Sequence, residues 1–218
     1  MNTKFEIFVC AGAVILVADE LSDADRSDSL DALLYSQTVA AHKAADMRDA
    51  DTWIHANKVA MRATGAMLSD NPSGNLPITV LENFTLLELT TRLLHLWVPA
   101  TAPCVRASTV ELQLNQALAT AANEQLQQHV LLGGKWIRFI LGFVSAGTVI
   151  TTITLSFEVA DSVIDNVMQH RFSRESIPGN VFVEGYRALV DPEDYDFSRA
   201  KIISLLGERR QEQIIALS

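Results

Sequence analysis

The chain has 218 residues, 49% hydrophobic and 20% charged, with a formal net charge of −9. That composition excludes a disordered polymer and is ample for a domain with a substantial core. The acidic balance, with Arg209-Arg210 as the only adjacent basic pair, argues against a phosphate-backbone partner and against electrostatic attachment to anionic lipid.

The first element follows Lys4 and Glu6, where the apolar run Ile7 to Ala18 is bounded by Asp19-Glu20. The run has the look of a signal-peptide hydrophobic region, but Glu6 and the weak basic flank favour a buried strand or short helix. The acidic stretch Asp19 to Asp31 reads as an exposed entry to a helix. A helical hairpin is expected over about 28–68, with its second arm starting at Asp49 or Asp51. In that arm Trp53, Ala60 and Met67 recur beside Ile54, Met61 and Leu68 as an apolar stripe, opposite Asp51, His55, Lys58 and Arg62.

Prolines 72, 77, 99, 103, 178 and 192 fall in connectors. Between the first two pairs, about 78–98 reads as a buried Leu-rich helix with Glu88 and Arg92 as an i,i+4 pair. Ser108-Thr109-Val110-Glu111 has the capping-box pattern and opens a helix over about 109–132, closed by Gly133-Gly134.

Phe139 to Phe157 is a stretch of nineteen residues without a formal charge. As a helix it would span roughly 28 Å, just enough to cross a bilayer. The favoured reading is a β-hairpin over about 136–159, turning at Ser145-Ala146-Gly147. Its second arm places Ile153, Leu155, Phe157 and Val159 on one side and Thr152, Thr154, Ser156 and Glu158 on the other, the two-residue period of a half-buried strand. The run Thr148 to Thr154 is entirely β-branched, which suits a pleated surface. A buried helix is the third alternative. Helices over about 161–172 and 198–217 complete the chain.

Site chemistry is sparse. His42, His55, His95, His129 and His170 have no metal-ligand spacing on one helix, so no metal is expected. Cys104 precedes Arg106, which could lower a thiol pKa, but no base or signature accompanies it; Cys10 reads as a small core residue. The two cysteines imply no disulfide framework and fit a reducing compartment. Ser145 lies in Gly142-Phe143-Val144-Ser145-Ala146-Gly147, whose spacing is wrong for a nucleophile elbow. Gly133-Gly134-Lys135 lacks the remaining parts of a phosphate loop. The carboxylates Asp191, Glu193, Asp194 and Asp196 lack a calcium-loop pattern and read as a turn capping the last helix. Asn83-Phe84-Thr85 matches a glycosylation acceptor, discounted because it falls inside the Leu-rich helix.

The expected fold is therefore a single α+β domain over 1–218, predominantly α-helical, with a small antiparallel hairpin near 136–159. No catalytic, cofactor or metal residues are singled out, and no nucleic-acid partner or small-molecule ligand is inferred. By elimination the leading function is a non-enzymatic structural or assembly protein, a self-associating oligomer subunit of the cytoplasm or a soluble assembly. A single-pass membrane protein anchored through 139–157 is the first alternative, and an enzyme whose site is assembled only by folding is the second.

Overall fold

The computed structural model describes residues 5–44, 46, 48–70, 74–76, 83–97, 121–161, 163 and 166–217. Its first elements are β1 (Phe5–Cys10), β2 (Ala13–Ala18), α1 (Asp23–Lys43), α2 (Ala50–Ala63), β3 (Met67–Asp70), β4 (Gly74–Leu76), β5 (Asn83–Phe84) and α3 (Leu86–Trp97). Then come α4 (Ala121–Val130), β6 (Leu131–Leu132), β7 (Trp136–Ser145), β8 (Val149–Glu158), β9 (Phe172–Ser173) and β10 (Val181–Leu189). The chain continues through α5 (Pro192–Leu206), α6 (Arg209–Gln213) and β11 (Ile214–Leu217).

Nine strands join one mixed sheet in the order β11-β1-β2-β7-β8-β10-β3, with β4 also on β10 and β6 on β7. The β2–β7 pair is parallel, Ala13 opposite Ile140, and the other pairs are antiparallel. Residues 136–158 do pair as a hairpin, from Trp136 opposite Glu158 to Ser145 opposite Val149. It is the centre of the sheet, however, which corrects the expectation of a mainly helical chain with a small hairpin. No described helix is long and apolar enough to cross a membrane, and the membrane-anchor reading of 139–157 is overturned because those residues are the two central strands.

Helices cover both faces of the sheet. On one side α3 and α4 bring Leu86, Leu89, Leu93 and Leu126 against Phe139, Leu141, Leu155 and Phe157. On the other, α1, α2 and α5 bring Leu33, Leu34, Trp53, Met61 and Tyr195 against Ile15, Ile140 and Ile150. Burial of each large apolar side chain contributes about 1.5–3 kcal/mol. Because both faces are covered, the polar side of β8 is also buried: Thr152, Thr154 and Ser156 lie under α1 and α2 rather than in water. Beside them in register are Arg138 on β7 and Glu184 and Tyr186 on β10. Lys58 of α2 pairs with Glu184 of β10, and the Asn57 amide donates to Ser36 Oγ of α1 at 3.1 Å, so polar contacts join α2 both to the sheet and to α1.

Local chemistry explains several boundaries that periodicity misplaced. Ser22, not a residue near Asp28, caps α1 by accepting from the Asp25 N–H at 3.1 Å. The second helix ends at Ala63 rather than 68; Gly65, at φ +93°, turns the chain into β3, and Met67 is 59% exposed. The helix expected from 78 begins at Leu86, preceded by strand β5. A reciprocal box starts it, Thr85 N–H donating to Glu88 Oε2 at 2.8 Å and Glu88 N–H to Thr85 Oγ1 at 3.2 Å. Glu88 thus pairs with Arg171 at 3.2 Å rather than serving Arg92.

The expected helix over 161–172 is absent from its described residues, which form turns leading into β9. In place of one helix over 198–217, α5 starts at Pro192 behind the Asp191 cap, and Gly207, at φ +53°, breaks it before α6 and β11. Strand β10 was not foreseen. The Ser108 capping box, Cys104 and prolines 72, 77, 99 and 103 lie outside the described residues.

Candidate functional site

A cavity of about 700 Å³ opens beside the β1–β2 turn, on the α1 side of the sheet. Ala11 and Gly12 form its turn wall, the last turns of α1 a second wall, and Leu205, Leu206, Arg209 and Gln213 a third. Trp53 from α2 and Arg138 and Ile140 from β7 make the floor, and His129 at the end of α4 closes one side.

Each wall is held by identified contacts. Gln37 of α1 accepts from the Gly12 N–H at 3.2 Å and donates to the Cys10 carbonyl at 3.0 Å, which locks the turn to the helix. Ala11 sits at φ +50° and donates its N–H to the Gln213 carbonyl at 2.9 Å. A Cβ on Gly12 would lie 3.3 Å from the His129 carbonyl oxygen, so the small residue lets α4 approach the turn. The C-terminal wall is fastened to α1 by Arg199, whose Nε and Nη2 reach Asp28 at 3.0 and 2.8 Å, and by Arg210, whose Nε reaches Asp31 at 2.8 Å. Burial raises the Asp31 carboxyl, although Arg210 pulls it back.

The lining carries one sign of charge. Lys43, Arg138 and Arg209 face the cavity beside the imidazoles of His42 and His129, and among the described residues no Asp or Glu does so. Lys43 ends α1, where a cation also opposes the negative pole of the helix dipole, so fold stability alone accounts for it. Arg138 is different. Only 7% exposed, it lies with its guanidinium 4.8 Å from the centre of the Trp53 ring. Burial lowers its pKa to about 10, opposed by the Asp49 carboxylate, so it stays charged at neutral pH. Taking a cation out of water costs several kcal/mol, and the ring offsets about 0.5–2 kcal/mol of that. His129 is half-buried, and desolvation lowers its pKa below the ordinary histidine value. At neutral pH it presents a neutral imidazole.

Of the residues weighed from sequence, His42 and His129 meet at this cavity. His55 is exposed on α2, His170 meets Phe172 edge-on with ring centres 4.7 Å apart, and the side chain of His95 lies outside the described set. Cys10 is fully buried and burial pushes its thiol far up, which disqualifies it as a nucleophile. Ser145 Oγ donates to the Val149 carbonyl at 3.3 Å within the hairpin turn, and Lys135 Nζ donates to the Ala160 carbonyl at 3.1 Å. Asp191 accepts from the Glu193 and Asp194 N–H groups as a helix cap, and Asn83 is exposed in β5. Among the described residues no group of three or more His, Cys, Asp or Glu is placed to hold a metal ion.

Sequence reasoning missed Arg138 and Trp53 as a pair. The available signal was a charge inside an otherwise apolar strand, where a cation needs a specific partner. No protein-family model, curated protein or solved structure matches the chain.

Proposed function

We propose that this chain binds a small organic anion in the cavity floored by Arg138 and Trp53. The observation that carries the reading is a cavity on which Lys43, Arg138 and Arg209 converge, with no Asp or Glu among its described lining residues, in a chain of net charge −9. Its volume falls within the usual range for small-molecule sites, and apolar side chains interleaved with a few fixed polar groups suit an organic body with one charged end. Arg138 supplies a planar donor fork at the floor, while Lys43 and Arg209 on the exposed rim raise the local concentration of anions. Thr38, the aliphatic hydroxyl on the α1 wall, donates to the Leu34 carbonyl at 2.8 Å, and binding rather than catalysis is the reading.

Isothermal titration with benzoate, citrate and inorganic phosphate tests it. Saturable binding by at least one anion, weakened about tenfold or more in the Lys43→Ala/Arg209→Ala double variant, is the expected result. Absence of binding by all three at millimolar concentration overturns it.

A second reading keeps the expectation of an assembly subunit. Large apolar side chains stand in water at Phe197, Met67, Leu205 and Val59, with Phe197 92% exposed. Such side chains gain by association with another surface.

A further inference from the structure

We infer that the cavity takes an elongated organic dianion, an apolar body with an anionic group at each end, of the class of the medium-chain α,ω-dicarboxylates. The inference rests on the anion-site reading and fixes the shape of the ligand. Its basis is that the three cations facing the cavity stand at two different ends of it, with apolar side chains between.

Helix α1 gives the scale, because it lines the cavity from Tyr35 to Lys43, about 12 Å at roughly 1.5 Å per residue. It leaves the end of β2 and is back at the β1–β2 turn by Gln37, which accepts from the Gly12 N–H. It therefore runs antiparallel to β2 and to β7, the parallel neighbour of β2. The Gly12 carbonyl accepts from the Ile140 N–H at 3.2 Å, so Ile140 is level with Gln37. Arg138 comes two residues earlier on β7, about 6.6 Å further along, and so stands level with the last turn of α1, where Lys43 lies. Helix α2 places Arg138 the same way. Its Asn57 meets Ser36, the short connection makes α1 and α2 antiparallel, and Trp53, one turn before Asn57, is level with Ala40. The Arg138 guanidinium lies over that ring.

Arg209 belongs to the other end. Its neighbour Arg210 reaches Asp31, near the start of α1, while Gln213 at the end of the same short helix meets the Ala11 N–H beside Gly12. Arg209 thus falls between the levels of Asp31 and Gln37, about 10 Å from that of Arg138 along the α1 axis. Val39, Ile140 and Leu206 line the space between, and no Asp or Glu among the described lining residues competes for either end. A ligand with one anionic group satisfies one end and leaves the other facing apolar substance; a second group at the right distance satisfies both. In an extended, staggered chain that distance corresponds to about eight to ten carbons.

Isothermal titration of the full chain with succinate, adipate, suberate, sebacate and monomethyl suberate tests the inference. The expected result is an affinity that rises with length to a maximum at suberate or sebacate and drops about tenfold or more in monomethyl suberate, which has the same body and one charge. Arg209→Gln, at an exposed position, abolishes that difference and leaves the melting temperature unchanged. Suberate and its monoester binding equally well, or succinate binding best, overturns the two-ended ligand and leaves the anion site standing. Binding of benzoate, citrate or phosphate but of none of these five does the same. No binding by any of the eight overturns both readings.

Discussion

The guanidinium of Arg199 holds both carboxylate oxygens of Asp28, across 171 positions of sequence, and so ties α5 to the second turn of α1. Asp28 is almost fully buried, whereas Arg199 is about one-third exposed. Replacing the acid leaves an arginine that solvent can still reach, and replacing the base strands a buried carboxylate.

Asp28→Asn is therefore expected to cost about 2 kcal/mol, in the range for a hydrogen bond to a charged group. Arg199→Met should cost at least as much, and Asp28→Asn/Arg199→Met less than the sum of the two. Urea unfolding of the three variants checks the order; strict additivity would mean that the pair is not coupled.

Arg138→Met removes the cation from the floor of the cavity while filling a similar volume. Stability should change little, because losing the Trp53 contact and the attraction to Asp49 is offset by no longer burying a charge. Affinity for an organic anion should fall about tenfold to a hundredfold, read by titration calorimetry beside a thermal melt. A large loss of stability would assign Arg138 to the fold instead of to a ligand.

His129 supplies a pH dependence with a definite sign. Its pKa is lowered in the folded chain by burial, so between the folded value and the ordinary value near 6.5 the unfolded chain holds more protons. Its contribution to stability is fully present above that window and is lost as pH falls through it. His129→Gln should flatten the fall in melting temperature below about pH 6.5 relative to the parent chain. An unchanged slope would place the effect on other groups.

Glu88 separates a cap from an ion pair. Glu88→Gln keeps the acceptor for the Thr85 N–H and loses only the exposed pairing with Arg171, so it should cost little. Glu88→Ala loses the box as well and should cost about 1 kcal/mol, measured by chemical denaturation. Equal costs for the two would refute the capping role.

The alternation in 152–158 was legible because a two-residue period leaves few alternatives, and the facing residues Ile153, Leu155 and Phe157 do enter one core layer. What the pattern could not say was that Thr152, Thr154 and Ser156 would also be buried, since that depends on α1 and α2 packing over them. Ile214, Ile215 and Leu217 fit a helical spacing as readily as a strand, and pairing with β1 decided between them. Residues 181–189 mix Glu184, Gly185 and Arg187 into the run, and their strand character came from partners on both sides. The cavity was illegible for a related reason: its floor and walls come from residues 11, 43, 53, 129, 138 and 209, which only the folded chain brings together.

The order of the sheet also governs when this molecule can finish folding. Strand β1 lies between β2 and the much later β11, and α1 waits for Arg199 and Arg210 to neutralise Asp28 and Asp31. A nascent chain ending before Pro192 therefore has an open β1 edge, two buried-site carboxylates without counterions and an unwalled cavity. The segment from Pro192 to Leu217 works as a closing clasp, and termination upstream of it yields a sticky intermediate for chaperones and proteases rather than a smaller stable protein.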